Sequence, residues 1–470
     1  MKKNILMIGL LAVFVMGSFS FAFASLLPQR DNIQFTQTVL YGNPKAAEGL
    51  ELHYQSHYDN HLFWDTTWTI GTPADTAETD YRFSAKEDRH VRSMEQSIRL
   101  KTMSYLTYYV QEVPSGLQKA FDELQAETGP GERNSRTIRL TDYYQYYPIS
   151  GTIELDGMGQ IHWDDSYHSL QGKENLTPEA DSTYRITKSF QDFFRIPVLS
   201  GDTMEITVYL SSNGSSTSTR SSYGSDTSYC METESVVTAD ACYFTFGTRS
   251  SSGQYIDTSL IPGGFGIYCL PYSADGIEPE NLSMVYPLDP KTQVISMNLS
   301  SDQSALFLIT EEPGGYMFTE IQLATMETLQ RFQINDAGGS IYDDMLHVTD
   351  DYFTFYGSDA NDVGGYRIFA RNEDGKFEFD FLIPSPSGEE REYFIFYSDA
   401  TFAYDGQRAA LTGIAVSTTH WSSAFTVAVY DETGMLYCGE YNTGQNCRQS
   451  SQGNYNCVPA ANELADIRWS

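Results

Sequence analysis

The sequence predicts an all-β fold built from repeated units of antiparallel strands. An Asp-led turn opens a short aromatic or aliphatic strand at four places in the second half, at 238–246, 299–308, 348–355 and 402–411. Each is followed by a second strand and a Gly- or polar-tipped hairpin, where residues that tolerate positive φ are favoured. Aromatic residues make up 14% of the chain, and such side chains fill pleated, half-buried surfaces.

The spacing of these units predicts a single β-propeller. Repeats of about 40 to 60 residues that contain only strands are typical of propeller blades. We expect about seven blades, with six to eight compatible, over residues 25–470, and the clearest blades at 236–441. Each blade buries its faces against neighbours, so one closed domain is favoured over several domains. Either Asn32–Leu40 or Asp466–Trp469 is expected to supply the closing strand.

The first half is less regular. Leu50–Tyr58 and His61–Ile70 predict a hairpin around Asp59-Asn60. Ser115–Thr128 predicts a short helical insertion, with Ser115 as the N-cap and one apolar face. Further strands are expected in a set of short apolar runs that includes Tyr184–Ile186, Phe193–Val198 and Met204–Leu210, and the Ser/Gly/Thr-rich stretch 211–228 is expected to be a surface loop.

Two segments resemble a known group of propellers. Leu299–Leu308 and Ala403–Leu411 look like the strand opening of TolB-, YVTN- and WD-type propellers, and the resemblance covers about 236–441. Within that stretch the Trp-Asp dipeptide is missing, and of the two segments only Ala403–Leu411 keeps the Asp-Gly pair of the strand opening, at Asp405-Gly406. The resemblance therefore implies a fold, and it transfers no site residues.

The N-terminus has the pattern of an export segment. Lys2 and Lys3 precede an apolar run at residues 5–23, and Ala22-Phe23-Ala24 fits a cleavage site, which makes residues 1–24 a signal peptide. The alternative is an uncleaved membrane anchor, because the run is long enough to span a bilayer. In both cases the rest of the chain is expected to be extracytoplasmic, secreted or anchored, with no other membrane contact.

The net charge of the chain limits the kinds of partner that the protein can bind. The formal net charge of −33 repels phosphate backbones, so nucleic acid is not expected as a partner. No cofactor motif is present, and no cofactor is expected.

Six cysteines permit disulfides outside the cytoplasm. The simplest pairings are Cys230 with Cys242, and Cys447 with either Cys457 or Cys438. The alternative for Cys242 and Cys269 is a free thiol packed in a strand.

One short segment resembles a glycan site. His162 and Trp163 could bind a sugar, and Asp164 and Asp165 are candidate catalytic carboxylates, since glycan cleavage uses a carboxylate pair. Adjacent residues of a strand point to opposite faces, so either aspartate would need a partner from another blade. A surface loop or binding contact is the alternative.

A second segment carries a candidate metal site. His57 and His61 are separated by about 13 Å along an extended strand, but a hairpin at Asp59 could bring them together. Ordinary hairpin-flanking histidines are the alternative, and the one we expect.

These observations favour an extracytoplasmic, monomeric binding or scaffold module that recognises a protein or a cell-envelope polysaccharide without catalysis. The alternative is a glycan-active hydrolase or lyase with carboxylates at the propeller channel.

Overall fold

A computed structural model describes most of the chain. The described residues are 7, 9, 11, 13–21, 36–58, 62–73, 76–83, 97–102, 114–155, 159–163, 178–214, 217–223, 229, 231, 233–250, 252–385, 401–414, 424–442 and 461–469. In this part of the chain the strands form seven antiparallel sheets. The chain divides into two compact units, residues 1–90 with 340–470 and residues 91–339. The predicted all-β class is therefore confirmed.

The first unit contains three of these sheets. Its strands are β1 Thr36–Gly42, β2 Leu50–Tyr58, β3 Leu62–Thr69, β4 Glu78–Phe83, β20 Ser340–Val348, β21 Tyr352–Ser358, β22 Gly364–Arg371, β23 Phe377–Pro384, β24 Phe402–Tyr404, β25 Ala409–Ile414, β26 Ala424–Asp431, β27 Gly434–Asn442 and β28 Ala461–Trp469. The sheet orders are β1-β27-β26-β25-β24, β28-β2-β3-β4 and β20-β21-β22-β23. This unit has two apolar cores, of which one contains Tyr437 and the other contains Tyr366.

Both ends of the chain enter sheets in this unit. β1 pairs with β27 from Thr36↔Asn442 onward, and β28 pairs with β2 from Leu50↔Trp469 onward. Both segments expected to supply a closing strand are strands. This pairing covers edges that would otherwise expose unpaired backbone groups.

The second unit contains the other four sheets. Its strands are β5 Ser97–Thr102, β6 Arg133–Arg139, β7 Ile149–Leu155, β8 Gly159–Trp163, β9 Thr203–Leu210, β10 Thr217–Tyr223, β11 Thr233–Val237, β12 Ala241–Phe246, β13 Gly266–Ser273, β14 Gly276–Ile277, β15 Ser283–Pro287, β16 Gln293–Leu299, β17 Ala305–Glu312, β18 Gly315–Gln322 and β19 Glu327–Asp336. The sheet orders are β5-β7-β8, β10-β9-β6, β11-β12-β13-β14 with β15 on β13, and β16-β17-β18-β19.

Hydrogen bonds explain why an Asp-led turn recurs before the strands. In the turn before β17, Oδ1 of Asp302 accepts from Ser300 Oγ at 2.7 Å and from the Ser304 amide at 2.9 Å. These bonds from Ser304 and Ser300 lower the pKa of Asp302 to about 2. Before β12, Asp240 Oδ1 accepts from Thr238 Oγ1 at 2.9 Å. The short aspartate side chain accepts hydrogen bonds from residues two positions away and so stabilises the turn, and the strand begins directly after it.

Two helices lie in the second unit. The predicted helix is present at Ser115–Ala126 with Leu117, Phe121 and Leu124 buried, but Pro114 is its N-cap and makes no side-chain capping bond. The second helix, Pro178–Phe193, replaces the strand expected at Tyr184–Ile186. Ile186 and Phe190 are four residues apart and both buried, which is the spacing of one helix face.

Two further expectations are corrected. The stretch 211–228, expected to be a loop, contains β10, which pairs with β9 along its whole length from Thr217↔Leu210 to Tyr223↔Met204. Cys242, Cys269 and Cys438 form no disulfide bond, so the disulfide pairings proposed for Cys242 and Cys438 are wrong. Cys242 lies opposite Leu270 in the strand pairing and is fully buried, as the free-thiol alternative predicted.

The N-terminal segment is helical over residues 13–21, with Phe14, Phe19 and Phe21 exposed. Among the described residues, no helix combines the length and apolar character needed to cross a membrane.

Candidate functional site

The residues singled out for a glycan site are only partly placed. His162 and Trp163 end β8, where they pair with Thr152 and Gly151 of β7. Asp164 and Asp165 lie outside the described residues. The assignment of these four residues stays a prediction.

The residues singled out for a metal site lie at the predicted hairpin. His57 pairs with Phe63 across β2 and β3, so the hairpin itself is confirmed. Asp59 and His61 lie outside the described residues. In the described part of the chain, no group of three or more His, Cys, Asp or Glu side chains is arranged to hold a metal ion.

A different group of polar side chains lines a cleft of the second unit, with a volume of about 250 Å³. The pairing of β17, β18 and β19 places its residues. Thr319 of β18 lies opposite Leu308 on one side and Arg331 on the other. Leu308, Thr310 and Glu312 alternate along β17, so they share one face of the sheet.

Glu312 is held in a fixed orientation at this cleft. Nη2 of Arg331 lies 2.6 Å from both carboxylate oxygens of Glu312. Oγ1 of Thr310 donates to Glu312 Oε1 at 3.1 Å. Glu312 lies opposite Gly315, which has no side chain to cover the carboxylate from β18. The Glu312 side chain is 23% exposed and Arg331 is 45% exposed, so the ion pair faces the cleft and remains reachable from solvent.

A second carboxylate and an aromatic ring line the same cleft. Asp289, on the turn after β15, is exposed, and the adjoining Tyr286 ring is half-buried with its hydroxyl 2.9 Å from Thr328 Oγ1. The turn is anchored because Thr248 Oγ1 donates to the Pro290 carbonyl at 2.6 Å. Buried threonines at 292, 310 and 319 line the cleft beneath this rim.

Sequence reasoning missed this group. Asp289, Glu312 and Arg331 are spread over more than forty positions, and their proximity depends on strand register and on the order of the sheet. One signal was present: Glu312 ends a strand just before a Pro313-Gly314 turn, and such turns return the chain alongside the same strand.

Comparisons with known proteins identify no family. No protein-family model and no curated protein matches the sequence. Solved structures similar to it include the periplasmic gluconolactonase of Pseudomonas aeruginosa, at 10% identity and a TM-score of 0.28, covering 85% of this chain and 98% of that one. Another, assigned as a 6-phosphogluconolactonase of Bacteroides uniformis, has 12% identity and a TM-score of 0.28, covering 82% and 94%. Dipeptidyl peptidase 4 of Porphyromonas gingivalis has 8% identity and a TM-score of 0.29, covering 85% and 60%.

These findings correct the leading functional interpretation. The sequence favoured a non-catalytic binding or scaffold module, whereas the similar structures include one described as a gluconolactonase and one as a 6-phosphogluconolactonase, and none of these comparisons supports a binding role.

Proposed function

We propose that the protein is a hydrolase that acts on a carbohydrate substrate in the cleft between Tyr286 and Arg331. The observation that carries the proposal is that two carboxylates, Glu312 and Asp289, line one cleft with an aromatic ring. Glycoside hydrolysis uses a pair of carboxyl groups on either side of the scissile bond.

The chemistry assigns one role to each carboxylate. Glu312 is the base: its oxygens are oriented by Arg331 and Thr310, and it accepts a proton from a water molecule. The water oxygen attacks the anomeric carbon as the glycosidic C–O bond breaks. Asp289 is the acid and donates a proton to the departing oxygen, so the products are two sugar hydroxyl ends and the net reaction consumes one water.

The lining of the cleft supports a carbohydrate over an apolar substrate. Its buried residues include three threonines, and hydroxyl groups both donate and accept hydrogen bonds. The Tyr286 ring offers an apolar face beside a polar tip, which suits the mixed surface of a sugar ring.

The test is hydrolysis by the full-length protein of a panel of 4-methylumbelliferyl glycosides and of xylan, chitin, starch and peptidoglycan, measured as released fluorophore or new reducing ends. Any substrate found is then tested with Glu312→Gln and Asp289→Asn. We expect each substitution to lower kcat by about 100-fold or more.

Glu311→Gln is the matched control. It makes the same charge change one residue away, and strand alternation places Glu311 on the opposite face of β17. Activity that falls with Glu311→Gln as much as with Glu312→Gln, or absence of turnover on the whole panel, would refute the proposal.

The wider setting is part of the proposal. We infer that the seven sheets are the blades of one β-propeller, supported by their antiparallel pairing and by the consecutive strand order of sheets such as β16-β17-β18-β19 and β20-β21-β22-β23. We also infer that the chain works as a monomer outside the cytoplasm, secreted or held by residues 5–23, in keeping with its export-type N-terminus. Cell fractionation and the molar mass in solution test these two points. A cytoplasmic protein or a stable oligomer would contradict them.

A further inference from the structure

A second, much smaller cavity lies inside the first unit. Its volume is about 30 Å³, and it is lined by residues of β20, β21, β22, β25 and the start of β24. Four of its lining residues have polar side-chain groups: His347, Thr354, Tyr366 and Thr401. Its apolar lining residues include Leu346, Phe402 and Leu411.

Thr354 presents a buried hydroxyl to this cavity. The residue is fully buried, and its Oγ1 has no hydrogen-bond partner in the described part of the chain. His347 lies directly opposite Thr354 in the β20–β21 pairing, so the two side chains project from the same face. A buried hydroxyl without a partner is destabilising, and the cavity beside this one gives room for a polar ligand.

We propose that this cavity holds an ordered water molecule that bridges Thr354 Oγ1 and the His347 imidazole. A cavity needs roughly 10–15 Å³ to hold one water, and a buried water makes two to four hydrogen bonds. The cavity has the room and the polar groups for one. Thr401 is the third available partner, with its Oγ1 2.7 Å from Thr412 Oγ1.

The electrostatic surroundings of His347 fit a neutral imidazole in this role. Burial lowers its pKa, and the negative charge of Asp466 on β28 acts in the opposite direction. The Tyr352 ring stacks on the imidazole with centroids 5.8 Å apart, and burial raises the pKa of its phenol, which keeps the phenol uncharged. A neutral imidazole has one donor and one acceptor nitrogen, so it can bond water in either direction.

Thr354→Val should change Tm in opposite directions depending on whether the cavity holds a water molecule (a wet cavity) or is empty (a dry cavity). In a wet cavity the substitution removes one anchor of the water, and we expect Tm to fall by about 2–4 °C. In a dry cavity it removes an unsatisfied hydroxyl, and Tm would rise. A rise in Tm would overturn the proposal.

Thr426→Val is the matched control. Thr426 is also fully buried, its Oγ1 has no partner among the described residues, and it does not line this cavity. We expect Tm to rise for Thr426→Val and to fall for Thr354→Val.

The titration of His347, followed by NMR of the imidazole, is an independent readout. Thr354→Val should move the midpoint, whereas Thr354→Ser keeps the hydroxyl and should leave it near the wild-type value. If Thr354→Val fails to fold, Thr354→Ala with the same titration replaces it. A His347 midpoint that is unchanged in every Thr354 variant would contradict the bridging water.

Discussion

The hydroxyl of Tyr147 donates a hydrogen bond to Oδ2 of Asp202, and these side chains are only 3% and 1% exposed. The backbone amide of Tyr229 donates to the same oxygen at 3.3 Å, and the Leu199 amide donates to the Tyr147 hydroxyl at 3.1 Å. Asp202 Oδ1 has no partner among the described residues. The Asp202 carboxyl group thus links its own segment to those of Tyr147 and Tyr229 inside the core of the second unit.

Removing the Tyr147 hydroxyl should destabilise the protein. Tyr147→Phe leaves Asp202 Oδ2 with one donor fewer and leaves the Leu199 amide without its acceptor. We expect the free energy of unfolding to fall by about 1–3 kcal/mol, measured by urea denaturation. Tyr209→Phe, at a residue that is 43% exposed, is the control and should change it by less than about 0.5 kcal/mol.

Asp202 should make stability depend on pH. Burial raises its pKa, although the hydrogen bonds from Tyr147 and Tyr229 act in the opposite direction. The folded protein therefore binds this proton more tightly than the unfolded chain does. The resulting stabilisation is full below the unfolded pKa of about 3.9 and is lost as the pH rises through the higher folded pKa.

Asp202→Asn removes this titration. The free energy of unfolding of the wild type, minus that of the variant, should decrease between pH 3 and pH 7 in urea denaturation. A difference that increases with pH would mean that the pKa of Asp202 is lowered in the folded protein.

Gln37 should be important for holding strand β1 in place. Its Nε2 donates to the Tyr437 hydroxyl at 2.6 Å and to the Tyr441 hydroxyl at 3.1 Å, and both tyrosines are fully buried. Gln37→Ala should lower the free energy of unfolding by about 1–3 kcal/mol, because both buried hydroxyls, which also bond each other at 2.9 Å, lose the hydrogen bond from Gln37. Thr38→Ala, at the adjacent exposed position, should have a much smaller effect.

Arg331 should matter for catalysis through Glu312. Arg331→Met keeps the apolar stem but removes the charged donor to both carboxylate oxygens. A charged hydrogen bond contributes about 1.5–3 kcal/mol, so kcat on any substrate found should fall by about 10- to 100-fold. Arg133→Met, at an exposed position of β6, is the control. An unchanged kcat for Arg331→Met would contradict the assignment of Glu312 as the catalytic base.

Cys438 should be chemically inert in the folded protein. Burial raises the pKa of its thiol to about 12, so at pH 8 the thiolate is about a thousandfold scarcer than for an exposed cysteine. Peptide mapping after iodoacetamide treatment should find Cys438 unlabelled in native protein and labelled after unfolding in urea. Equal labelling in both states would contradict its burial.

Several elements were accessible from the sequence because their causes are local. The hairpin of β2 and β3 follows from a polar turn between two alternating segments, and the Asp-led turns close on side chains two residues away. The Ser115–Ala126 helix was recognisable from the spacing of its buried leucines and phenylalanine. A closing strand from one end of the chain or the other was also expected.

Other elements depended on contacts that no local pattern contains. Pro178–Phe193 is helical because Ile186 and Phe190 are buried on one side, whereas short apolar runs within it also fit a strand. β10 has the composition of a loop and becomes a strand through its backbone pairing with β9.

The sequence by itself determined the all-β class, the turns and most strands, since these depend on side-chain alternation and on residues a few positions apart. Only the tertiary structure decided that Glu312 meets Arg331, that Asp289 shares their cleft and that Cys242 and Cys438 form no disulfide bond. The physical reason is register: a shift of one residue in strand pairing turns every side chain to the other face, and the sequence of a single strand does not reveal its partner.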